Sequence, residues 1–181
     1  MKSRVKNWLK RDREQVLGEV GIKRGQIVLD FGCGSGIYTI PAARIVGETG
    51  RVYGLDKNWR KLAELGQKVK KIGLMNVEKI RTSGELEIPL GEKSVDVVLL
   101  YDVFHHHHFS RAEREQLLSE VSRVLKPWGV LSVYLTHMDP KRIEKEVTEG
   151  GFLLEERFPR RFLVHDSNLE EGELLNFRKG E

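Results

Sequence analysis

Gly32, Gly34 and Gly36 alternate with single residues, Asp30 stands two positions before them, and Asp56 stands twenty positions after the last. Glycines at this density allow a tight turn, positive φ and close backbone approach to a ligand. A dinucleotide fingerprint would run G-x-G-x-x-G and place a pyrophosphate on the following helix N-terminus. Here the third glycine comes one residue early, and Asp30 adds negative charge where a diphosphate would sit. The set suits a cationic or amine-bearing nucleoside better, with the Asp56 carboxylate accepting from both ribose hydroxyls. The Asp56 spacing is shared with dinucleotide folds. The plain alternative is a βα turn that binds nothing.

A second set is Tyr101-Asp102-Val103-Phe104-His105-His106-His107-His108-Phe109. A neutral imidazole is a base near neutral pH, which makes this cluster a candidate source of a general base without singling out one ring. The same rings also suit packing or structural hydrogen bonds. Imidazole is a ligand for zinc, copper or nickel as well. Successive residues of an extended segment face opposite sides, so four histidines share one site only through a turn. No metal site is expected. His137, Met138 and Asp139 follow the fifth apolar run and are placed to reach the same pocket, His165 and Asp166 have no assigned role, and Cys33 reads as packing because no His or Asp is placed to activate it.

These residues need a scaffold, and hydrophobic periodicity supplies one. Helical spacing runs over 3–20, 37–46, 59–71, 111–125 and 140–150, with Asn58 and Ser110 as N-caps and Pro41 and Pro140 near helix starts. Short apolar runs at 26–31, 51–55, 77–81, 95–101 and 130–135 read as strands, the fourth a nearly continuous buried one. Alternation of the two types predicts a doubly wound parallel sheet, and 152–156 with 174–178 predicts an antiparallel pair at its edge. In such sheets ligands sit at the carboxyl ends of strands. The glycine turn, Asp56, the loop at 83–85 and the histidines all follow predicted strands, so they are expected to line one crevice.

The chain has 181 residues, 39% apolar and 32% charged, with a net charge of +4. That fits one globular domain, 1–181, comprising an amphipathic helix over 1–20 that is a candidate lid, an α/β core over 26–150 and terminal strands over 151–181. No apolar run reaches the roughly 20 residues of a membrane span. The N-terminus is basic without a signal peptide's apolar region, and one cysteine suits a reducing compartment, so a cytoplasmic location is expected. Basic residues gather at 2–13 and at Arg157, Arg160 and Arg161. They leave a nucleic-acid partner open but not favoured over a solvated face.

Several segments together resemble one family. Val28-Leu29-Asp30-Phe31-Gly32-Cys33-Gly34-Ser35-Gly36 is similar to motif I of the class I S-adenosylmethionine-dependent methyltransferases, V-L-D-x-G-C-G-T-G. Gly54-Leu55-Asp56 resembles the family's second-strand acid. Ile88-Pro89-Leu90 with Ser94-Val95-Asp96-Val97-Val98 resembles L-P-F…S-F-D-V-V, and 120–129 resembles E-x-x-R-V-L-K-P-G-G. The resemblance spans about residues 16–154 and comes nearest to the subgroup containing quinone-biosynthesis methyltransferases.

It implies a Rossmann-like, mostly parallel seven-stranded sheet and S-adenosylmethionine as cofactor. Gly32, Gly34 and Gly36 would border its methionine and ribose portions, Asp30 its amino end, and Asp56 its ribose hydroxyls. The Lys57 stem would pack on adenine, and Ser83 or Glu85 would replace the Asp that usually meets the adenine amine. Tyr101 joins the cofactor set. His105 and His106 match two histidines common in related members, on the loop that faces the acceptor, which makes them the candidate catalytic residues. The implied activity is methyl transfer to a small molecule. Alternatives are an RNA or protein acceptor, or cofactor binding without catalysis. Trp128 stands where the family has glycine, and a type I turn with Pro127 second is expected to accommodate it. The acceptor, the accepting atom and the oligomeric state have no signature in the sequence.

Overall fold

The computed structural model describes residues 13–135, 138–164 and 168–180. Residues 1–12 of the candidate lid, together with His137, His165 and Asp166, lie outside the described residues, as do the side chains of Arg160 and Arg161. The chain forms two compact units that meet in sequence at Glu85 and Leu86, and its seven strands make one mixed sheet.

In the first unit, β1 (Ile27–Phe31), β2 (Arg51–Asp56) and β3 (Val77–Arg81) are parallel, with β2 in the middle. Val28 lies opposite Val52, and Val52 opposite Val77. The helices are α1 (Arg13–Glu19), α2 (Thr39–Val46) and α3 (Trp59–Lys71). Helix α3 starts where Asn58 caps it, accepting from the Arg60 and Lys61 N–H groups. It buries Leu62, Leu65 and Val69 one above the other. Lys68, Lys70 and Lys71 occupy its last turn, where cations complement the helix dipole. Asn76 donates to the Ala43 and Gly47 carbonyls, both at 2.8 Å, and so closes the end of α2. The chain enters this unit through α1, whose Arg13 donates to the Ile37 carbonyl at 3.0 Å beside the glycine turn.

In the second unit the strands run in the order β4 (Val95–Tyr101), β5 (Leu125–Tyr134), β7 (Asn168–Lys179) and β6 (Phe152–Val164). Strand β5 is parallel to β4, and both β7 contacts are antiparallel. This is the mostly parallel seven-stranded sheet with an antiparallel C-terminal pair that the sequence predicts. Helix α4 (Arg111–Val124) opens with a reciprocal cap, Ser110 and Glu113 each bonding the other's backbone. Helix α5 (Pro140–Glu149) opens with Asp139 and Pro140. Among the described residues, no helix is long and apolar enough to cross a membrane.

The Glu120–Arg123 pair explains why two of the matching motifs occur together. Arg123 donates to the Ile88 and Leu90 carbonyls at 2.7 and 2.9 Å, and Glu120 accepts from the Ile88 N–H at 2.9 Å. Glu120 and Arg123 also bond each other. One turn of α4 therefore clamps the segment that leads to β4.

Two expectations need correction. The terminal strands are not confined to 152–156 and 174–178, because β6 and β7 stay paired as far as Val164 and Asn168. Among the described residues, Leu174 to Arg178 of β7 also pair with β5, and the remainder of β7 pairs with β6 as a two-stranded ribbon. Such a ribbon does not require an apolar pattern, and Pro159 is tolerated on the outer strand.

Nor does Trp128 sit in a type I turn: its φ is +64°. Leu125 pairs with Val95 and Val130 with Val97, so residues 126–129 bulge out opposite Asp96 alone. The exposed indole has room there, and Arg178 donates to the Trp128 carbonyl. The residue that must be small is Gly129, where an added Cβ would come within 2.8 Å of Leu125. Lys126 spans the bulge to Asp96 at 2.9 Å, an ordinary ion pair that accounts for that acid without chemistry.

Candidate functional site

The glycine turn is built from β1, β2 and the carboxylate that ends β2. Gly32 and Cys33 both donate to the Leu55 carbonyl, at 2.8 and 3.0 Å, and Gly36 donates to the Cys33 carbonyl at 3.0 Å. Gly32, Gly34 and Gly36 have φ of +77°, +53° and +88°, which side-chain-bearing residues rarely adopt. Asp56 Oδ2 accepts from the Gly34 N–H at 2.8 Å, while Oδ1 accepts from the Asn58 N–H at 2.7 Å. One carboxylate thus holds both the turn and the entry to α3.

The glycines differ in what surrounds them. A Cβ on Gly36 would lie 2.4 Å from Leu65 Cδ1, whereas one on Gly34 would meet nothing within 4 Å. Gly36 is a packing glycine, and Gly34 presents an open backbone face. Cys33 lies in the core with Leu62, Leu65 and Val69. Burial pushes its thiol far above the usual range, as expected of a packing residue.

Asp30 is 2% exposed and accepts from the Thr39 hydroxyl at 2.6 Å. Burial raises its pKa to about 6; the Thr39 bond opposes this and the Asp56 charge adds to it. Lys68 reaches back from α3 to Ser35, donating to its carbonyl at 2.9 Å and its hydroxyl at 2.8 Å. Lys57 is exposed next to Asp56. The loop with Ser83 and Glu85 starts beside the same acid, where the Thr82 N–H donates to the Asp56 carbonyl at 3.3 Å. Asp30, Gly32, Gly34, Gly36, Asp56, Lys57, Ser83 and Glu85 therefore all belong to the carboxyl end of the first unit's strands.

Tyr101 and the histidines belong to the second unit. The Tyr101 ring is 6% exposed, its hydroxyl 2.9 Å from the Ser132 hydroxyl and its ring edge-on to Tyr134. Asp102, at φ +56°, turns the chain out of β4 while its N–H bonds the Tyr134 carbonyl at 2.8 Å. The histidines then form a turn rather than an extended run. The His108 and Phe109 N–H groups both bond the His105 carbonyl, at 2.9 and 3.1 Å. The turn brings the rings together in tilted pairs, His105 with His108 at 4.3 Å and His106 with His107 at 4.0 Å between centroids.

Burial and then the neighbouring His108 push the His105 pKa below the usual imidazole value, against the pull of Asp102. His106 is lowered mainly by His107. Among the described residues, no three His, Cys, Asp or Glu side chains are arranged to hold a metal ion.

Sequence reasoning missed the group that anchors this loop. Arg114 is 3% exposed and donates to both carboxylate oxygens of Glu146, at 2.7 and 3.1 Å, and to the Phe109 carbonyl at 2.8 Å. Its guanidinium lies 5.9 Å from the Phe104 ring centre. A cavity of about 470 Å³ adjoins this pair, lined also by Arg111, Glu115 and Leu118. A signal was available: Arg114 shares the buried stripe of Leu117, Leu118 and Val121, where an arginine needs a buried partner.

The family described as "Methyltransferase domain" matches residues 28–129, which includes every element of the glycine turn. The chain is 28% identical to a demethylmenaquinone methyltransferase of Lactobacillus johnsonii, over 91% of this chain and 64% of that protein. It is 35% identical to the ubiquinone/menaquinone biosynthesis C-methyltransferase UbiE of Klebsiella pneumoniae, over 62% of this chain and 43% of the relative. The chain thus spans between 43% and 64% of the length of these curated relatives. A solved structure of an S-adenosylmethionine-dependent methyltransferase from Aquifex aeolicus superposes with a TM-score of 0.74, at 26% identity and 98% coverage of both chains. With more than half of its residues matched, the chain belongs to the methyltransferase domain family.

Proposed function

We propose that the chain is an S-adenosylmethionine-dependent methyltransferase acting on a small-molecule acceptor. The observation that carries this reading is Asp56, whose two oxygens fasten the Gly34 and Asn58 N–H groups at the mouth of the glycine turn. The residues present fit the cofactor. Gly34 has an open backbone face, and Asp56 keeps lone pairs for two hydroxyl donors beyond its two backbone bonds. The Asp30 charge favours a cationic ligand, and because that acid is buried behind Thr39 we assign it an electrostatic role rather than a surface contact.

When bound, S-adenosylmethionine supplies a methyl group on a positively charged sulfur. The chain's own part is alignment, since an in-line displacement needs proximity more than covalent help. Gly32 and Gly34 would line the methionine and ribose portions, Gly36 would shape the turn from behind by packing on Leu65, and Asp56 would take the ribose hydroxyls. Lys57, Ser83 and Glu85, exposed beside Asp56, would flank the adenine. Tyr101 would contribute its ring, with its hydroxyl 2.9 Å from that of Ser132. The loop at 104–109 would face the acceptor. The names of the curated relatives point to a quinone-type acceptor, and the lone Cys33 suits a cytoplasmic setting.

The test is calorimetry with S-adenosylhomocysteine, followed by transfer of a labelled methyl from S-adenosylmethionine to demethylmenaquinol or a cell extract. Binding together with a labelled small molecule is the expected result. No binding would sink the reading, and label in RNA or protein would redirect it to a macromolecular acceptor.

A further inference from the structure

The histidine turn fixes the hydrogen-bonding state of its first ring. The His107 N–H donates to Nδ1 of His105 at 3.3 Å. A backbone N–H only donates, so the nitrogen that receives it carries no proton, and the neutral ring must hold its proton on Nε2. We infer that His105 is an Nε2–H hydrogen-bond donor to an oxygen of the acceptor molecule, rather than the base that its position suggests. The identity of what it binds rests on the methyltransferase reading; the tautomer does not.

Further contacts hold this arrangement. The His105 carbonyl takes both the His108 and Phe109 N–H groups, which closes the turn that brings the His107 N–H over Nδ1. Arg114 fastens the far end of the loop through the Phe109 carbonyl and lies over Phe104 at the near end. Glu146 holds Arg114 by two bonds, so the anchor cannot swing.

Adding a proton at Nδ1 would break the His107 bond and place a cation among His106, His107 and His108, with Asp102 as the opposing charge. Burial opposes the charged ring as well. A neutral ring with its proton on Nε2 can polarise a carbonyl or steady a phenolate. It cannot take a proton at Nε2 without losing the tautomer that the loop enforces. The acceptor class that this recognises is a molecule with a carbonyl or phenolic oxygen beside the methylated atom, as in a reduced quinone ring. An amine acceptor would not use it.

The experiment is nitrogen-resolved imidazole NMR on the full chain without ligand, with His105 assigned by loss of its signal in His105→Gln. The expected spectrum shows an unprotonated Nδ1 and a protonated Nε2 for His105. In Arg114→Met, with the anchor removed, both tautomers are expected, and Arg114→Lys should restore part of the native signal. A protonated Nδ1 in the unaltered chain overturns the inference.

A second arm uses demethylmenaquinol as acceptor. Glutamine can still donate where alanine cannot, so His105→Gln should retain more kcat than His105→Ala, with an unshifted pH profile. Equal losses of about a hundredfold or more in both variants would mark a base and sink the donor role. Failure to bind S-adenosylhomocysteine would instead remove the methyltransferase reading and leave the tautomer result standing.

Discussion

Asp56 and Gly34 lie twenty-two residues apart in sequence and 2.8 Å apart in space, joined by a carboxylate oxygen and a backbone N–H. Asp56→Ala frees the Gly34 and Asn58 N–H groups together. The expected result is loss of about tenfold or more in S-adenosylhomocysteine affinity, with about 1–3 kcal/mol of stability. Asp56→Asn keeps one acceptor oxygen and should fall between. Calorimetry and urea unfolding measure the two effects, and unchanged affinity in Asp56→Ala would remove this acid from the cofactor site.

Gly34 and Gly36 should respond differently to one methyl group. Gly36→Ala meets Leu65 at 2.4 Å as well as a positive φ, so about 2–4 kcal/mol of destabilisation is expected. Gly34→Ala meets nothing within 4 Å, so only the backbone term of about 1–2 kcal/mol applies. If the open face of Gly34 receives the cofactor, its variant will nonetheless lose more affinity than stability. Equal stability losses in the two variants would contradict the packing assigned to Gly36.

Asp30 makes stability depend on pH. Burial raises its pKa in the folded chain to about 6 from the usual carboxylate range near about 4, a preference on the order of 3 kcal/mol. The raised value means that the folded state prefers the protonated acid. The contribution is fully present below about pH 4 and is lost as pH rises through about 6. Denaturant midpoints measured across that range should fall with rising pH in the unaltered chain and fall less in Asp30→Asn. A cationic ligand should reverse the preference, so binding near pH 6 should release protons, seen as a buffer-dependent heat. Identical pH slopes in both proteins would refute the assignment.

Arg123→Met takes the side-chain donor from the Leu90 carbonyl, leaves the Ile88 carbonyl with the Leu90 N–H, and leaves Glu120 with the Ile88 N–H in place of its ion pair. The pair is partly exposed, so a loss of about 2 kcal/mol is expected rather than the full cost of a buried charge. Hydrogen exchange should accelerate at residues 88–90 before it does in β4. Uniform acceleration across the second unit would mean that the clamp is not local.

Removing residues 1–12 tests the lid. The helix that continues them binds the Ile37 carbonyl through Arg13 beside the glycine turn. Weaker S-adenosylhomocysteine binding is expected in the shortened chain, and unchanged affinity would dismiss a lid there.

Local features were legible in the sequence. The Asn58 and Ser110 caps and the buried run at Val95–Tyr101 depend on neighbours in sequence and appear where capping chemistry and periodicity put them, and the glycine turn was legible from its spacing although Leu55 and Asp56 hold it from afar. What escaped depends on distant partners. The ribbon of β6 and β7 extends through charged residues because main-chain pairing, not an apolar stripe, sustains it. Trp128 adopts a left-handed conformation because the chain bulges there, which the pairing of Val95 and Val97 decides. Arg114 was readable only as an anomaly on an apolar face until Glu146 and Phe109 gave it partners.

The bulge at 126–129 also divides β5 into two separately anchored pieces. Leu125 is fixed by Val95, and the stretch from Val130 to Tyr134 by its own pairs with β4 and β7. Residues added or removed between them would be absorbed as a larger or smaller outward loop. The inward and outward alternation past Val130 would not change, so Ser132 would still meet Tyr101. Insertions beside the exposed Trp128 that leave Gly129 and Lys126 in place should therefore not disturb the strand end that leads to the histidine turn.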